Sequence, residues 1–366
     1  MVAQSAEFLT TQRGFFFVGI ERTAQPFGTT PRGQMYVQWE CPLEQKHPYP
    51  IVMIHGGGGQ GTDWLGAPDG RPGWAAMFLK AGYKVYVVDR PGHGRSPRHP
   101  DVLGRMSMPV SYELVMSLFA RGTGVTTGAP GSPAAPASPF TNPFAHLNTQ
   151  WPGSGAIGDP ALDQLIASQG SMLADMAEAH RLEQRAGAEL LDRIGPAILM
   201  THSAGGPFGW VVADARPKAV KAIIAVEPLG PPFMQMPRMG IGLPWGLTAM
   251  PLTFEPPCKE PSELETVTRE NPAGPPITLQ AEPARRLPNL SGFPIAVVTA
   301  EASPVRMSDP GTVAFLRQAG CDAEELELAE QGVHGNGHLM MGERNNEQVA
   351  QVLFKWLDAR VHAPAR

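Results

Sequence analysis

The chain has 366 residues, of which 42% are hydrophobic and 17% are charged, and its formal net charge is -5. This length suits one large α/β domain with insertions, or two domains. The negative charge and the lack of a basic run argue against a nucleic acid or an anionic membrane as the main partner. No apolar run approaches the roughly 20 residues needed to span a bilayer.

Three cysteines, Cys41, Cys258 and Cys321, lie far apart in the sequence. Their spacing fits neither a metal site nor an even set of disulfides, so we expect buried free thiols. The N-terminal segment has no charged stretch followed by an apolar one, which argues against a secretory leader in this form of the chain. A leader that was removed and replaced by Met1 is still compatible with the sequence. The location therefore stays open between the cytoplasm and the periplasm or the exterior.

The first third of the chain predicts the start of a parallel sheet. Residues 14–21 and 33–40 read as an antiparallel strand pair, an N-terminal β-hairpin with a loop between its strands. Residues 51–54 form a short, continuous apolar run that is typical of a strand buried on both faces. A helix over residues 72–83 and a second buried strand in "KVYVVD" follow. Strand, helix and strand with short joints make a βαβ unit, which implies parallel strands.

Two irregular blocks interrupt the alternation of strands and helices. The first spans residues 105–160 and includes residues 121–144, which are too rich in Gly, Pro, Ser and Thr for a core element. We expect a long surface excursion there. The second spans residues 229–290 and is dense in Pro, Met and aromatic residues. We interpret it as a cap insertion within one domain of residues 1–366.

The other segments continue the α/β alternation. Residues 159–195 predict helix, broken near Gly170. The remaining predicted elements are strands at 196–203, 218–228, 293–301 and 323–330 and helices at 309–320 and 345–360. Together they predict a mostly parallel central sheet flanked by helices. Such a sheet binds its ligand beyond the carboxyl ends of its strands, so we expect the functional residues there.

Ser203 stands between a buried strand and a helix-like segment, in "ILMTHSAGGPFGW". A nucleophile elbow needs this context, and its sharp turn needs small neighbours such as Ala204, Gly205 and Gly206. Thr201 stands where the usual Gly-x-Ser-x-Gly motif has its first glycine. A helix-capping serine is the alternative interpretation. If Ser203 is a nucleophile, the backbone N–H of Ala204 at the helix start is placed to stabilise an oxyanion.

The glycine run "HGGGGQG" follows the first parallel strand. In α/β hydrolases a second oxyanion donor comes from the loop at this position, often in a His-Gly-Gly-Gly sequence. The donor is Gly57 or Gly58, and the sequence does not choose between them. A phosphate-binding loop is disfavoured, because the run lacks the Gly-Lys-Ser/Thr ending. His55 is interpreted as a hydrogen-bonded anchor of the loop.

"DRPGHGRS" contains a second serine that resembles a motif residue. Ser96 follows a strand but lacks the spacing of an elbow, so we do not assign it to the chemistry. Asp89 begins the same turn and is expected to order the loop.

The acid and the base each have two candidates. The hydrolase order of Ser, then Asp or Glu, then His leaves His334 and His338, which share the glycine-rich loop before the last helix. A general base needs its second ring nitrogen fixed by a carboxylate. Glu227 and Glu301 both end predicted strands. Pro228 after the apolar run suggests a fixed, partly buried carboxylate, which mildly favours Glu227.

These motifs resemble the α/β-hydrolase esterases of bacteria that include the sulfonylurea-herbicide de-esterifying esterase. That family also has a Thr-His-Ser-Ala elbow, which matches residues 201–204. Its oxyanion loop of His-Gly and small residues leads to Pro-Asp-Gly-Arg, matching 55–58 and 68–71. Its acid lies in a Glu-Pro pair, matching 227–228. Its histidine lies in Gly-Asn-x-His with Arg-Asn-Asn soon after, matching 335–338 and 344–346.

The resemblance implies an α/β-hydrolase fold and a catalytic triad of Ser203, Glu227 and His338, with Glu301 as the alternative acid. It implies a carboxylic ester substrate, no metal and no organic cofactor, and it suggests a homodimer held by the N-terminal hairpin. It is weak in the two irregular blocks, where substrate would be selected, so the herbicide is not carried over. Candidate pocket residues are Trp64, Met234, Met236 and Trp245.

We therefore predict a serine carboxylic ester hydrolase that acts on a small to medium, partly apolar ester. One alternative is the same triad acting on an amide, a lactone or a polyester. An alternative of another class is a catalytically silent binding protein with the hydrolase fold. Simple core packing of the residues in the second block, Phe254 included, is an equal alternative to their role in a pocket.

Overall fold

The computed structural model describes residues 9–118, 142–237, 240–271 and 275–362. The strands in chain order are β1 (Thr11–Val18), β2 (Glu21–Gln25), β3 (Gly28–Arg32), β4 (Met35–Pro42), β5 (Ile51–Ile54), β6 (Val85–Asp89), β7 (Ala197–His202), β8 (Val220–Val226), β9 (Gln235–Met236), β10 (Ile241–Gly242), β11 (Thr266–Arg269), β12 (Ile277–Gln280), β13 (Pro294–Thr299) and β14 (Asp322–Glu327).

The α-helices in chain order are α1 (Thr62–Leu65), α2 (Trp74–Lys80), α3 (Pro100–Leu103), α4 (Tyr112–Leu118), α5 (Pro160–Ser168), α6 (Met176–Ile194), α7 (Gly206–Ala215), α8 (Asp309–Gln318) and α9 (Asn346–Arg360). The predicted strands and helices of the α/β alternation are confirmed, including the break near Gly170 between α5 and α6.

Eight strands form the central sheet in the order β1-β4-β6-β5-β7-β8-β13-β14. The two outer pairs, β1 with β4 and β4 with β6, are antiparallel. All other neighbours are parallel. The carboxyl ends of β5, β7, β8 and β13 therefore meet at one edge of the sheet. This is the edge where the sequence predicts the functional residues.

The sheet lies between two layers of helices, and β5 shows how its sequence fits this arrangement. Val52 and Ile54 join the buried cluster that includes Phe208 of α7. Ile51 and Met53 join the opposite cluster, which includes residues of α2 and α9. Because both faces are covered, the strand needs apolar residues at every position, and this accounts for its continuous apolar run.

The N-terminal hairpin is more elaborate than predicted. β1 and β4 pair as expected, with Val18 opposite Met35. Between them, however, β2 and β3 form a second antiparallel hairpin, with Gln25 opposite Gly28 at its turn, and not a plain loop. The sequence "ERTAQ" lacks the apolar alternation of a half-buried strand, because most of its side chains are only partly covered.

The two irregular blocks have different outcomes. Residues 119–141, which include most of the predicted surface excursion, lie outside the described residues. The second block lies against the helices of one layer: Ala249 N donates to His180 Nδ1 of α6, and Thr253 N donates to the Asp214 carboxylate of α7. Its apolar residues Leu247 and Phe254 are buried in the same cluster as the core of that layer.

All three cysteines are free. The expectation of burial is correct for Cys321 and wrong for Cys41 and Cys258, which are partly exposed. Among the described helices, none is long and apolar enough to cross a membrane.

Candidate active site

Ser203 occupies a strained turn directly after β7. Its φ is 52°, and a single turn of 3-10 helix over residues 203–205 leads into α7. A non-glycine residue in this region of φ costs on the order of 1–3 kcal/mol and persists only where the surroundings impose it. A Cβ at Gly205 would lie 2.4 Å from the carbonyl oxygen of His55. The small residues after Ser203 are therefore required by close backbone approach.

Thr201 fits the elbow although the usual motif has glycine at this position. Its side chain is fully buried, and it pairs with Ala225 and Ile54 on the two neighbouring strands. A Cβ at Gly209 would lie 3.1 Å from Thr201 Cγ2. The space that the threonine methyl group needs is thus left by a missing side chain in α7, one turn into the helix.

Glu227 and His338 are in direct contact. The Nδ1 of His338 lies 2.5 Å from Oε2 of Glu227, and both side chains are buried. Glu227 follows β8, the strand next to the one that carries Ser203, and its φ of 43° is also strained. Besides Phe233, Ser203 and Glu227 are the non-glycine residues with positive φ among the described residues. The strain therefore falls on two of the three residues predicted for the triad.

Two further donors hold the Glu227 carboxylate. Ala300 N donates to Oε1 at 2.8 Å, and Ser303 Oγ donates to Oε2 at 2.6 Å. Both donors come from the loop after β13, the other neighbour of β8. Ser303 was not predicted from the sequence, because only its position after a predicted strand distinguishes it from other serines.

The alternative acid and base form a separate pair. His334 Nδ1 lies 3.2 Å from Oε2 of Glu301, and the side chain of His334 is 62% exposed. Glu301 also accepts a hydrogen bond from the backbone N–H of Gly335. This pair fastens the histidine loop at the surface. The four candidates thus sort into one buried pair and one exposed pair.

Burial shifts the pKa values of the buried pair. It raises the pKa of Glu227 above its ordinary value, against the lowering effect of the hydrogen bonds from Ser303 and Ala300. It lowers the pKa of His338 to about 3. Both shifts have one cause, the loss of water around a charged form. The imidazole is therefore held neutral, which is the form that accepts a proton.

His202, directly before Ser203, ties the histidine loop to the elbow. Its Nε2 lies 3.0 Å from the backbone carbonyl oxygen of His338, and the two rings are 4.5 Å apart. Burial lowers the pKa of His202 well below its usual value, so this ring is neutral and its Nε2 donates to the carbonyl. His338 is thereby held beside the residue that precedes the serine.

The glycine loop after β5 lies against the elbow. A Cβ at Gly56 would be 3.1 Å from Ser203 Cβ, and a Cβ at Gly57 would be 3.2 Å from Ala204 Cβ. At Gly58, whose φ is +71°, the nearest neighbours are instead Val110 and Gly170. Gly57 is therefore the glycine that faces Ala204, and Gly58 provides the turn. His55 anchors the loop as expected, because its Nε2 accepts from Arg90 N at 3.0 Å.

Arg90 is a buried cation that the sequence analysis missed. Its guanidinium donates to the carbonyl oxygens of Gly56 and Ala204 at 2.8 and 3.1 Å, and to Oε1 of Glu183 at 2.8 Å. It therefore fixes the glycine loop and the elbow relative to each other. The only signal was an arginine directly after the apolar strand, in "VVDRPG". Asp89 orders this turn as predicted, through Gly61 N and Arg95.

Glu343 holds the loop of His338 from the other side. Its carboxylate accepts hydrogen bonds from Gly337 N, Asn336 Nδ2 and Asn148 Nδ2 at 2.9–3.0 Å. Burial raises the pKa of Glu343 to about 7. Asn148 lies in the first irregular block, so this block is fastened to the histidine loop. Neither Glu343 nor Asn148 was singled out in the sequence.

Ser96 has a structural role, as expected. Its Oγ donates to the carbonyl oxygen of Asp89 and accepts from Tyr36 N. Both interactions keep the hydroxyl in the turn after β6.

A cavity of about 350 Å³ lies beside α1, the helix that follows the glycine loop, and reaches Leu339, the residue after His338. Its walls are mainly apolar and come from α1, from α5 with the segment before it, and from the segment after His338; they include Leu65, Trp151, Leu165, Leu339 and Met341. Ligand pockets of small molecules have volumes of this order.

The pocket candidates from the sequence need correction. Trp64 is fully buried in a core cluster with Trp74, although its neighbours on α1 line the cavity. Trp245 is 5% exposed and packs in the opposite core cluster. Met234 and Met236 are partly covered, and neither lines this cavity. Core packing, the alternative interpretation, describes both tryptophans.

The fold and the order of the strand-end residues define a class. Residues 49–260 match the family model of the α/β hydrolase fold, and the chain therefore belongs to this family. The predicted fold class is confirmed, and the lipase described below agrees with the predicted enzyme class, a carboxylesterase-type hydrolase.

Two relatives narrow the comparison. The chain is 40% identical over 349 residues to the probable secreted lipase phiG of a fungal species (strain ATCC 74256), covering 94% of this chain and 88% of the lipase. A bacterial esterase of known structure superposes with a TM-score of 0.66 at 24% identity, over 97% of this chain and 98% of the esterase. The resemblance to α/β-hydrolase esterases is confirmed at this level, and the narrower link to herbicide de-esterification stays a prediction.

Proposed function

We propose that this protein is a serine carboxylic ester hydrolase with Ser203 as nucleophile, His338 as general base and Glu227 as the acid that orients it. The observation that carries the proposal is the buried contact of His338 with Glu227, next to the strand that ends at Ser203. Positive φ at both Ser203 and Glu227 supports it, since such strain is common at active sites.

In the proposed reaction, Ser203 Oγ attacks the ester carbonyl carbon while His338 Nε2 takes its proton. The tetrahedral oxyanion accepts hydrogen bonds from the backbone N–H groups of Ala204 and Gly57. The C–O bond to the alcohol then breaks, and His338 returns the proton to the leaving oxygen. Water attacks the acyl-enzyme in the same way and releases the acid, which restores Ser203.

The apolar cavity beside the two loops supports an ester with a small to medium apolar group. The name of the fungal relative, a lipase, supports an ester over an amide, a lactone or a polyester. A panel of p-nitrophenyl esters of rising chain length, run beside the matching anilides, tests this choice. We expect hydrolysis of the esters and none by Ser203→Ala. Faster turnover of the anilides would contradict the ester assignment.

Two further expectations accompany the proposal. The fungal relative is named as a secreted protein, which supports a secreted location for this chain; fractionation of a producing culture tests it.

The homodimer remains a prediction. Phe15 on the edge strand β1 and Phe27 at the tip of the inner hairpin are 65% and 71% exposed, which is compatible with an interface there. Light scattering of the purified protein measures the mass of the assembly.

A further inference from the structure

The cavity beside α1 and Leu339 contains one carboxyl group on an otherwise mainly apolar wall. Asp63 of α1 lines it, together with Leu65, Trp151 and Leu165. Among the described residues that line this cavity, none is basic and Asp63 is the only acidic one. A single ionisable group in an apolar pocket fixes the orientation of a ligand through that group.

The carboxyl group of Asp63 lies against the glycine loop. A Cβ at Gly59 would lie 2.1 Å from Asp63 Oδ2, so the carboxyl rests directly on the glycine run that carries the oxyanion donors. The cavity is also lined by Leu339, the residue after His338. It therefore adjoins both loops of the proposed reaction centre through these neighbours, and a substrate held at that centre would extend into it toward Asp63.

The state of Asp63 suits the recognition of a hydrogen-bond donor. Burial raises its pKa to about 7, and the backbone of Gln60 supplies the hydrogen bond that opposes this shift. A carboxyl group has about four acceptor positions when ionised and keeps acceptor capacity when protonated. It can therefore accept a hydrogen bond from a ligand in either form.

We propose that Asp63 is a substrate-binding residue, which selects esters whose apolar part ends in a hydrogen-bond donor, a hydroxyl or an ammonium group. This inference rests on the proposed ester hydrolysis, because the cavity is assigned to the substrate through Asp63, which contacts the glycine loop, and Leu339, which follows His338. Asp63 takes no part in the chemistry of the reaction. It binds the distant end of the substrate and thereby sets the preference among esters.

The test compares matched substrates by titration of the released acid. One series has the donor on the acyl side: methyl hexanoate, methyl 6-hydroxyhexanoate and methyl 6-aminohexanoate. The second has it on the alcohol side: hexyl acetate, 6-hydroxyhexyl acetate and 6-aminohexyl acetate. In at least one series we expect kcat/KM to be about three- to tenfold higher for a donor-bearing ester than for its plain partner, as for one hydrogen bond.

Variants of Asp63 separate the two donors. Asp63→Leu should abolish the preference for any donor. Asp63→Asn, which is nearly isosteric, should keep a preference for hydroxyl and lose one for ammonium, because the amide oxygen accepts but carries no charge. Asp101→Asn, at a carboxylate that is 81% exposed on the surface, is the matched control and should leave every ratio unchanged.

The outcomes distinguish this inference from the proposed function. If no ester of either series is hydrolysed, the proposed function fails. If the plain esters are hydrolysed, and neither donor nor Asp63→Leu changes the ratios, the function stands and the role of Asp63 is overturned. Thermal melting of each variant shows whether it is folded, and the absence of any donor preference in the unaltered protein would overturn the inference without any variant.

Discussion

His338 Nδ1 lies 2.5 Å from Oε2 of Glu227, whereas His334, four residues earlier in the same loop, pairs with Glu301 at the surface. The two pairs use the same residue types and differ in burial. Only the buried pair adjoins the strand that ends at Ser203. The choice between the acids can therefore be tested with one matched substitution in each pair.

Glu227→Gln should lower kcat by roughly 10²- to 10⁴-fold, because the amide does not stabilise the imidazolium that forms during the reaction. Glu301→Gln should change kcat by less than about threefold, since its partner His334 is exposed. Steady-state kinetics on p-nitrophenyl acetate measures both. The reverse ranking would show that Glu301 is the acid.

The pH profile of kcat/KM should reflect the burial of His338. Only the neutral imidazole accepts the serine proton, so activity is lost as the pH falls through the pKa of His338. Burial lowers this pKa below its ordinary value of 6.5. The acid limb of the profile should therefore lie below pH 6.5. A limb at or above that value would mean that the charge of Glu227 outweighs the burial of the imidazole.

The buried pair of Arg90 and Glu183 should be important for stability and for the oxyanion site. Arg90→Met leaves the Glu183 carboxylate buried without its cation, which costs about 3–5 kcal/mol in the free energy of unfolding. Denaturation in urea measures this. Combining it with Glu183→Leu should cost less than the sum of the two single substitutions, since an apolar pair replaces the ionic one.

A surface pair provides the control for that experiment. Arg216 bonds to Asp192 with both side chains about half exposed, and Arg216→Met should cost less than about 1 kcal/mol. If Arg90→Met costs no more than this, the guanidinium does not fasten the glycine loop to the elbow.

Glu343 should position His338 without taking part in the chemistry. Glu343→Ala removes the carboxylate that accepts buried hydrogen bonds from Gly337, Asn336 and Asn148, at about 1–3 kcal/mol for each bond lost. We expect kcat to fall more than KM rises, because the imidazole loses its fixed orientation. Glu330→Ala, at an exposed position in the turn after β14, should change neither parameter. Unchanged kcat in Glu343→Ala would exclude the positioning role.

The size of the cavity should set the preferred chain length. Leu165→Phe narrows the cavity and should lower kcat/KM for p-nitrophenyl octanoate relative to the acetate, by roughly tenfold if about two methylene groups lose their burial. Leu165→Ala should not impair the octanoate. If both substitutions leave the ratio of octanoate to acetate unchanged, the acyl chain does not occupy this cavity.

The sequence predicted the sheet well, because its buried strands are short apolar runs that end at unusual residues. Ser203, Glu227 and His338 could be singled out as candidates because chain order in the fold, and a family resemblance, constrain them. The order could not choose between His338 and His334, which share one loop; contact with Glu227 depends on how that loop folds. Gly57 and Gly58 were likewise indistinguishable until their φ values and neighbours were known.

The features that the sequence did not reveal are contacts between distant segments. Arg90 joins the glycine loop to the elbow, and Glu343 bonds to Asn148 across 195 positions. Neither leaves a local pattern. Trp64 and Trp245 were expected in a pocket because large apolar side chains serve pockets and cores equally well, and only the packing distinguishes the two. Asp63 was overlooked because a single acidic residue after a glycine run forms no pattern of its own.

Covalent labelling by a fluorophosphonate tests the central claim most directly. We predict one adduct per chain by intact mass, located at Ser203 by peptide mapping, no adduct in Ser203→Ala, and slower labelling in His338→Ala. Ser154→Ala, at an exposed serine, should label like the unaltered protein. An unlabelled protein, or equal labelling of Ser203→Ala, would contradict the assignment of Ser203 as the nucleophile and favour a silent binding protein with this fold.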